Sequence, residues 1–462
     1  MAQHKLPQGL SSLLTQNPSI KLYTPESSEY ETLRKTFIVS QAKPTAIARP
    51  QTASDVQALV RACVGTGLEF NVRTGGHNCV GRTLVDDAVL IDVRDISGVI
   101  VSEDKKTAKI GGGILAGGLL NALGEHGLIT PCGSVGSVGY VGWSTNGGYG
   151  PFSSLYGLGV DQIVGAKLVN HKGELVDASG ELLKGIRGAG GIFGVVVELT
   201  IKVFPLKEML VGTLIYESSD MQSTWTSFTE GIRGLTLPPA LQIQLGAKEF
   251  PGIGKVLAAI VTWVDDNHGD GRKMIDQIAT FGNCIVNMTE AKTMVKYAED
   301  NEKLVAYGVY GRSYTLNLKE LTPTSVNLLA KYSASLPGGN AMISIYTLRS
   351  PKPNENSVFG ARENHRMVEI LSMTSDPALK DEAAAWGQGL LRELQEQDGE
   401  NVLDSAYISL LDFEDADLKK IYGRHLETLV HLKKKYDPGN VFKHSAPKIL
   451  AQSRTLSETR AV

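Results

Sequence analysis

The stretch NVRTGGHNCVGR, residues 71–82, places a histidine directly after two glycines and a cysteine two residues later, at the end of an apolar strand pattern. Such a stretch could be a turn, a metal site, a phosphate cradle or a point of covalent attachment. A metal site is disfavoured because His77 and Cys79 have no further ligands at metal-binding spacing. A single histidine near a turn is often only a solvent-facing imidazole, so the neighbouring sequence has to decide.

Glycine is concentrated around this stretch. The chain has 462 residues and 50 glycines, and 30 of the glycines lie between Gly65 and Gly194. A second glycine-rich run, GSVGSVGYVGWSTNGGYGPFSSLYGLGVDQIVGA, covers residues 133–166. Glycine permits positive φ angles and close approach of the main chain, at an entropic cost. This third of the chain is therefore predicted to wrap its backbone around a large ligand.

The common nucleotide-binding motifs do not explain these glycines. The segment AKIGGGILAGG, residues 108–118, resembles a dinucleotide loop, but Gly117 comes one place late for the motif and no second strand with an acid follows. A P-loop is excluded because no Gly-Lys-Ser or Gly-Lys-Thr is present. Successive backbone N–H groups in a glycine loop form an anion-binding nest. A nest without its own lysine fits a bound cofactor better than a hydrolysed nucleotide.

The composition excludes several classes of function. The net charge of −3 favours neither nucleic acid nor an anionic membrane surface as a partner. No run approaches the ~20 apolar residues that span a bilayer, and the N-terminal MAQHKLPQGLSSLLTQ lacks the apolar core of a secretory signal. The four cysteines show neither zinc spacing nor a CxxC pair, which suits a reducing compartment. We therefore expect a cytoplasmic protein.

The chain is predicted to contain two α+β units. In the first, at about residues 40–205, TASDVQALVRACVGTG predicts a helix capped by Thr52 or Ser54, and QIVGAKLVNHKGELVDA predicts a hairpin that turns at its Lys-Gly pair. From about Leu206 the texture changes, and the second unit is predicted to be a sheet with helices on one face. Its strand patterns are MLVGTLIYE, ALQIQLGA, KVLAAIVTWV, NAMISIYTL and HRMVEILSM, and its helical patterns lie near residues 269–281, 322–334, 380–396 and 415–435.

Several segments together resemble a known family. VRTGGHNCVGR resembles the pyrophosphate loop of the flavin-linked oxidases of the vanillyl-alcohol-oxidase, or PCMH, type, in which the histidine after the paired glycines is the 8α-histidyl attachment point of FAD. The chain is identified as a member of the berberine-bridge-enzyme-like oxidases, nearest to the branch typified by 6-hydroxy-D-nicotine oxidase. The other matching segments are AIARPQTASDVQALVRAC, VLIDVRDISGV, VGYVGWSTNGGYG, YGLGVDQIVGAKLV, IRGAGGIFGVVVEL and YDPGNVF.

This resemblance implies an α+β fold in three segments. Residues 1–205 would form a PCMH-type FAD-binding domain with its core at about 40–205. Residues 206–424 would form a substrate-binding domain with an antiparallel sheet backed by helices, and residues 425–462 would return to the FAD-binding domain. The expected partners are a small-molecule substrate and dioxygen, with no nucleic acid and no membrane, and the expected state is a monomer or a homodimer.

The resemblance also assigns residues to the cofactor. FAD is predicted to be bound covalently through His77. Many members carry a cysteine in the second loop that also bonds the flavin. Alignment on NGGYG puts Val135 at that place, so a single bond through His77 is predicted. Cys132, three residues earlier, remains an alternative as a second attachment point. The main-chain amides expected to face the pyrophosphate are those of Thr74, Gly75, Gly76 and Asn78. The other residues expected to contact FAD are Arg73, Gly139, Gly142, Asn146, Gly147, Gly148, Tyr149, Gly157, Val160, Asp161, Gly194, Val195, Val196 and Asn440.

A histidine at position 77 has a chemical use in this setting. A neutral imidazole, the major form at pH 7 with a pKa near ~6.5, can attack the 8α carbon of the oxidised flavin. The resulting bond withdraws electrons from the ring, so the flavin accepts hydride more readily from C–H bonds next to nitrogen or oxygen. The cofactor carries the redox chemistry, and the protein orients the substrate.

A hydride acceptor also requires a base for the substrate proton. SAYISLLD, residues 405–412, resembles the family's Tyr-x-Asn-Tyr strand near the flavin. Tyr407 matches the first tyrosine, but Ser409 and Leu410 replace the asparagine and the second tyrosine. Tyr346, and His365 in ARENHRM, are the other candidates in the presumed substrate sheet. For each of them, an ordinary buried hydrogen-bonding role is the alternative to catalysis.

The predicted function is an FAD-dependent oxidase of secondary metabolism. It would dehydrogenate a small, natural-product-like molecule by hydride transfer to flavin N5, with dioxygen as acceptor and hydrogen peroxide as product. Because the Tyr-x-Asn-Tyr strand is degraded, the alternative is a cyclase that uses the flavoprotein fold for ring formation, for example of the Diels–Alder type. A pure binding or structural protein is disfavoured, since so much glycine costs stability unless a ligand requires it.

Overall fold

The computed structural model describes residues 8–349, 354–412 and 416–450. The start of the predicted first segment, residues 1–7, and the end of the predicted third segment, residues 451–462, lie outside the described residues. In chain order the strands are β1 (Lys21–Tyr23), β2 (Ala46–Arg49), β3 (Phe70–Arg73), β4 (Val89–Asp92), β5 (Val99–Val101), β6 (Thr107–Gly111), β7 (Leu128–Ile129), β8 (Ile163–Val169), β9 (Leu175–Ala178), β10 (Val195–Lys202), β11 (Phe204–Pro205), β12 (Met209–Tyr216), β13 (Leu241–Phe250), β14 (Gly254–Trp263), β15 (Cys284–Lys292), β16 (Tyr310–Leu318), β17 (Met342–Leu348) and β18 (His365–Thr374). The α-helices are α1 (Gln8–Gln16), α2 (Tyr30–Leu33), α3 (Ala53–Thr66), α4 (Ala116–Gly124), α5 (Tyr140–Thr145), α6 (Ser153–Tyr156), α7 (Gly159–Gln162), α8 (Gly180–Ala189), α9 (Met221–Arg233), α10 (His268–Ala279), α11 (Met294–Glu302), α12 (Pro323–Ala334), α13 (Lys380–Gln397), α14 (Leu418–Tyr422) and α15 (Leu426–Tyr436). Within the described ranges, no helix has both the length and the apolar content needed to cross a bilayer.

Two main sheets build the first predicted unit, beside a two-stranded pair of β7 and β11. The smaller has the order β1-β2-β4-β3, with β2, β4 and β3 parallel, and the larger is antiparallel with the order β5-β6-β10-β8-β9. Helix α3 begins at a reciprocal capping box between Thr52 and Asp55 and ends at Gly67, whose φ is 72°. Thr52, not Ser54, is therefore the cap. Strand β3, at the edge of this sheet, ends at Arg73, one residue before the paired glycines, so the first glycine loop begins at the sheet edge.

A seven-stranded antiparallel sheet forms the second unit, in the order β15-β12-β14-β13-β17-β18-β16. Helices α9, α10, α12 and α13 cover one face, where Trp225, Ile275 and Leu390 pack with strand residues such as Ile243 and Val368. The predicted sheet with helices on one face is therefore confirmed. Alternate residues of β13, β17 and β18 lie on the opposite face, which meets the first unit across a cavity.

The sequence patterns miss two strands of this sheet, β15 and β16, and the helices α9 and α11. No residue of the edge strand β15 is buried, so it has no apolar alternation to detect. Strand β16 buries polar side chains such as Ser313 and Asn317, which also hides its pattern. The helix predicted near residues 415–435 is wrong as a single element. It is divided into α14 and α15, because Gly423 between them has a φ of 50°.

A buried ion pair fastens the C-terminal region to the first unit. Lys433 on α15 lies 2.6 Å from Asp437, and both side chains are almost completely buried. The Lys433 ammonium also donates to the Ile192 carbonyl at 2.7 Å. The Asp437 carboxylate accepts from the amides of Val441 and Phe442. The YDPGNVF motif thus anchors the chain on the first unit, whereas the predicted domain boundaries at residues 205 and 424 stay predictions.

Lys433→Met is expected to destabilise the protein strongly. The substitution leaves the Asp437 carboxylate buried without its cation, and breaking a buried pair in this way costs about 3–5 kcal/mol of the free energy of unfolding. Urea denaturation, followed by circular dichroism, measures the loss. The matched control is Lys435→Met on the same helix, which removes an exposed contact with Glu181 and should leave the unfolding midpoint nearly unchanged. Equal midpoints for the two variants would contradict the assignment.

Candidate active site

A cavity of about 600 Å³ lies between the glycine loops of the first unit and the open face of the second sheet. The first loop, the second loop and the start of β10 form its side toward the first unit. Its floor on the second unit comes from residues of β13, β17 and β18, which include Ser344, Tyr346 and Glu369. A concave apolar site with a few converging polar groups is the usual form of a small-molecule site.

The two glycine loops cross at a contact that only glycine permits. A Cβ atom on Gly75 would lie 2.4 Å from the Gly139 nitrogen, and a Cβ on Gly139 would lie 2.6 Å from the Gly75 nitrogen. Both residues line the cavity. The crossing therefore requires glycine at both positions. The two loops form a cradle of main chain around the cavity, in which a diphosphate could lie against backbone amides.

His77 faces this cradle as a neutral side chain. Its Nε2 atom lies 2.7 Å from the Ser137 hydroxyl, and its ring stacks on Phe37 with 5.0 Å between the centroids. The Ser137 amide in turn donates to Glu302 at 2.9 Å. Burial is the main influence on the imidazole and lowers the pKa of His77 to about 4. At pH 7 the ring therefore keeps a lone pair, which is what a nucleophile requires.

Fourteen of the twenty residues predicted to contact the cofactor line the cavity. One of them, Arg73, uses its guanidinium to hold the preceding loop, through the carbonyls of Leu33 and Lys35. The structure therefore brings most of the predicted cofactor residues to one place. The fourteen are Arg73, Thr74, Gly75, Gly76, His77, Asn78, Val135, Gly139, Gly142, Asn146, Tyr149, Gly194, Val195 and Val196.

The other six predicted cofactor residues, Gly147, Gly148, Gly157, Val160, Asp161 and Asn440, do not line the cavity. Gly147 and Gly148 have φ angles of 127° and 82° and accept main-chain hydrogen bonds from Val160 and Gly159. Asp161 pairs with Arg362 at 2.9 Å. These contacts give the residues a role in shaping the second loop, and their contact with FAD stays a prediction.

The cysteines differ in their relation to the cavity. Cys132 is completely buried in the core of the first unit and does not line the cavity, and burial raises the pKa of its thiol to about 12. Its carbonyl oxygen would lie 2.2 Å from a Cβ on Gly150, so the second loop is tightly packed at this point. Val135 lines the cavity at the place expected for a second-loop cysteine. Cys132 is therefore not placed to reach a ligand in the cavity, and covalent attachment through His77 stays a prediction.

The three predicted base candidates are separated by the structure. Tyr346 and Tyr407 line the cavity, and burial together with the charge of Glu369 raises the pKa of both phenols. His365 lies behind the wall. Its Nδ1 pairs with the Glu363 carbonyl and its Nε2 lies 2.9 Å from the Tyr149 hydroxyl. The SAYISLLD segment forms a short 3₁₀ turn after Tyr407 rather than a strand.

Glu369 on β18 is a candidate that the sequence patterns miss. Its side chain lies between those of Met367 and Leu371 on the cavity face, and it is the one acid among the described residues that line the cavity. The side chain is partly buried, and burial of the carboxyl group raises its pKa to about 7, although a hydrogen bond from Ser344 acts in the opposite direction. The Gln244 amide donates to Ser344 at 2.9 Å, which holds that hydroxyl in place. The sequence does contain one signal for this residue, because Glu369 is a charged residue between the apolar Met367 and Leu371 on the same face of a strand pattern.

The chain matches two protein families and several known oxidoreductases in sequence. Residues 44–179 match the family described as FAD binding domain, and residues 410–447 match the family described as berberine and berberine like. The FAD-linked oxidoreductase aurO of Gibberella zeae is 33% identical over 94% of this chain and 86% of the relative. The (R)-6-hydroxynicotine oxidase of Paenarthrobacter nicotinovorans is 36% identical over 38% of this chain and 40% of the relative.

Solved structures share the whole fold. The Physcomitrella patens BBE-like 1 protein superposes with a TM-score of 0.82 at 21% identity, over 95% of this chain and 99% of the other. The 6-hydroxy-D-nicotine oxidase of Arthrobacter nicotinovorans superposes with a TM-score of 0.81 at 21% identity, over 92% and 97% of the two chains. The predicted α+β fold, with its FAD-binding domain and antiparallel sheet, is therefore confirmed.

Proposed function

We propose that this chain, which belongs to the berberine-bridge-enzyme-like family of FAD-linked oxidoreductases, is an oxidase that dehydrogenates a small, natural-product-like molecule of secondary metabolism. Dioxygen would be the electron acceptor and hydrogen peroxide the product. The observation that carries the proposal is the pairing of His77 and Glu369 on opposite sides of one cavity. One side offers an attachment point for a flavin, and the other offers a base for the substrate.

The cavity suits FAD on the evidence of its own residues. The crossed glycine loops leave main-chain amides close to the cavity, and a Cβ on Gly75 or Gly139 would destroy the cradle. His77 would hold the ring system by a covalent bond, since its imidazole is neutral and faces the cavity. When bound, FAD supplies a two-electron acceptor for hydride from the substrate. The protein's own contribution is then to orient the substrate and to manage its proton.

Glu369 is the group best placed to take that proton. A general base acts most effectively when its pKa lies near the working pH, and the pKa of Glu369 is about 7. Tyr346 and Tyr407 hold their protons more firmly than ordinary phenols because burial disfavours the phenolate. They would therefore orient the substrate by hydrogen bonds, while Ser344 and Gln244 fix the carboxylate of the base.

The rate of substrate oxidation is expected to rise with pH through about 7. Only the ionised carboxylate accepts a proton, so kcat/KM should fall about tenfold per unit below the pKa of Glu369 and level off above it. A pH profile between 5.5 and 9 measures this limb. In Ser344→Ala the midpoint should move to higher pH, because the lost hydrogen bond opposes the effect of burial. A flat profile in the unmodified protein would rule Glu369 out as the base.

The oxidase proposal is tested by following the flavin spectrum under nitrogen. A panel of small aromatic alcohols, amines and phenols is mixed with the purified protein without oxygen, and a substrate should bleach the flavin. Admission of air should restore the colour and release one hydrogen peroxide per substrate oxidised. Turnover under nitrogen with an unchanged spectrum would instead identify the cyclase, and bleached flavin that air does not reoxidise would identify a dehydrogenase with another acceptor.

The remaining parts of the proposal concern the protein in the cell. We propose a cytoplasmic protein that acts as a monomer or homodimer. Size-exclusion chromatography with light scattering measures the oligomeric state directly.

A further inference from the structure

We propose that Lys248 forms a carboxylate-binding subsite in the floor of the cavity, so that the substrate carries an anionic group at the end remote from the carbon that is oxidised. The inference rests on the proposed function in taking the floor as the substrate site. Lys248 lies on β13 and lines the same cavity as Glu369. A cation at this position would select one class of substrate and fix its direction.

The charges of the cavity lining single out Lys248. Arg73 is occupied by the carbonyls of Leu33 and Lys35, and Arg82 donates to the carbonyl of Ile408. His444 is paired with Glu69 at 2.7 Å. Lys248 differs from these residues. Burial lowers the pKa of its ammonium group, and no acid among the described residues raises that pKa again. Its ammonium nitrogen lies 5.1 Å from the centre of the Phe250 ring. A partly buried cation of this kind gains from an anionic ligand.

The register of the sheet sets the distance from this cation to the base. Gly246, Ser344 and Glu369 lie opposite one another in a row across β13, β17 and β18. Lys248 begins the next row on the same face, with Met342 and Leu371. Because two residues along a strand span about 7 Å and neighbouring strands lie about 4.8 Å apart, the Cα atoms of Lys248 and Glu369 are about 12 Å apart. A molecule with an aromatic ring and a short acidic side chain bridges such a distance.

The row that contains the base also provides a slot for a ring. From Glu369 on β18 the row continues through small residues on the next three strands. These are Ser344 on β17, Gly246 on β13 and Ala258 on β14. Bulkier side chains stand on either side of the row, including Tyr346, Met342, Met367 and Leu371. A planar ring can therefore lie over the small residues, with one end at Glu369 and an acidic side chain directed toward Lys248. The class of substrate that this shape and charge select is an aryl carboxylate.

The test compares aryl carboxylates with their uncharged amides as ligands. Phenylalkanoates with two to six carbons in the side chain, and the matching primary amides, are titrated into the FAD-loaded protein at pH 7.5. Binding is followed by calorimetry and by perturbation of the flavin absorbance. At least one acid should bind ten or more times more tightly than its amide, and Lys248→Met should remove this preference. The matched control is Lys255→Met on β14, whose ammonium donates to the Ala334 carbonyl outside the cavity lining.

The outcomes separate this inference from the proposed function. Equal binding of every acid and its amide, or no binding of any acid, would overturn the anionic subsite while leaving the flavin spectrum and oxidase activity intact. A preference that survives in Lys248→Met would show that another group holds the anion and would equally overturn the assignment. Loss of FAD from the unmodified protein would instead count against the proposed function. Retention of FAD by Lys248→Met, read from its absorbance, checks that the variant is folded.

Discussion

His77→Ala is expected to yield a protein from which acid precipitation releases all of the flavin. In the unmodified protein the flavin should remain with the precipitate, because the neutral imidazole of His77 faces the cradle of the glycine loops and can form a bond that acid does not break. The measurement is the absorbance of pellet and supernatant after precipitation. The variant should still bind FAD reversibly, since the crossing of Gly75 and Gly139 remains.

The control for this prediction is His126→Ala. His126 is an exposed histidine of the same unit, and its loss should leave the flavin in the pellet as in the unmodified protein. Acid-released flavin in the unmodified protein, or acid-stable flavin in His77→Ala, would contradict a bond through His77. In the second case Cys132 and Cys79 would be the next residues to replace, although burial holds both thiols in the protonated form and makes them poor nucleophiles.

Glu369→Gln is expected to slow reduction of the flavin by substrate about 10²–10⁴-fold, the usual contribution of a general base. The amide has nearly the shape of the carboxyl group but cannot accept the substrate proton. Stopped-flow absorbance under nitrogen measures the rate of this step without interference from the reaction with oxygen. The acidic limb of the pH profile should disappear in the same variant.

Two comparisons make the Glu369 result specific. Glu249→Gln changes an exposed glutamate on β13 that does not line the cavity, and it should reduce the flavin at the unmodified rate. Tyr407→Phe should slow reduction of the flavin less than Glu369→Gln does if the phenol only orients the substrate. A larger loss in Tyr407→Phe, together with a near-normal rate in Glu369→Gln, would return the role of base to the tyrosine.

The fold could be predicted well wherever local sequence determines local structure. The helix α3 has its own cap at Thr52, and the hairpin of β8 and β9 has its own turn, so both follow from short segments. The paired glycines before His77 imply close approach of main chain, and the structure shows what approaches, namely Gly139 of the second loop. Most of the predicted cofactor residues therefore reach one cavity.

The substrate side was harder to predict because its residues meet through tertiary structure. Ser344 and Glu369 lie 25 positions apart in the sequence and become neighbours only through the pairing of β17 with β18. The pKa of Glu369 depends on burial in the folded protein and on a hydrogen bond from Ser344, neither of which a local pattern records. His365 also could not be placed from its local sequence pattern. It has the residue type of a base, but its two nitrogens lie at hydrogen-bond distance from the Glu363 carbonyl and the Tyr149 hydroxyl, and its role as a base stays a prediction.

Covalent attachment of FAD through His77 is tested most directly by the mass of the proteolytic peptide that contains His77, taken from freshly purified, yellow protein. This peptide should be heavier than its sequence by one covalently bound flavin, and fragmentation should place the extra mass on the His77 side chain. An unmodified His77 peptide from protein that is fully loaded with flavin would contradict this attachment.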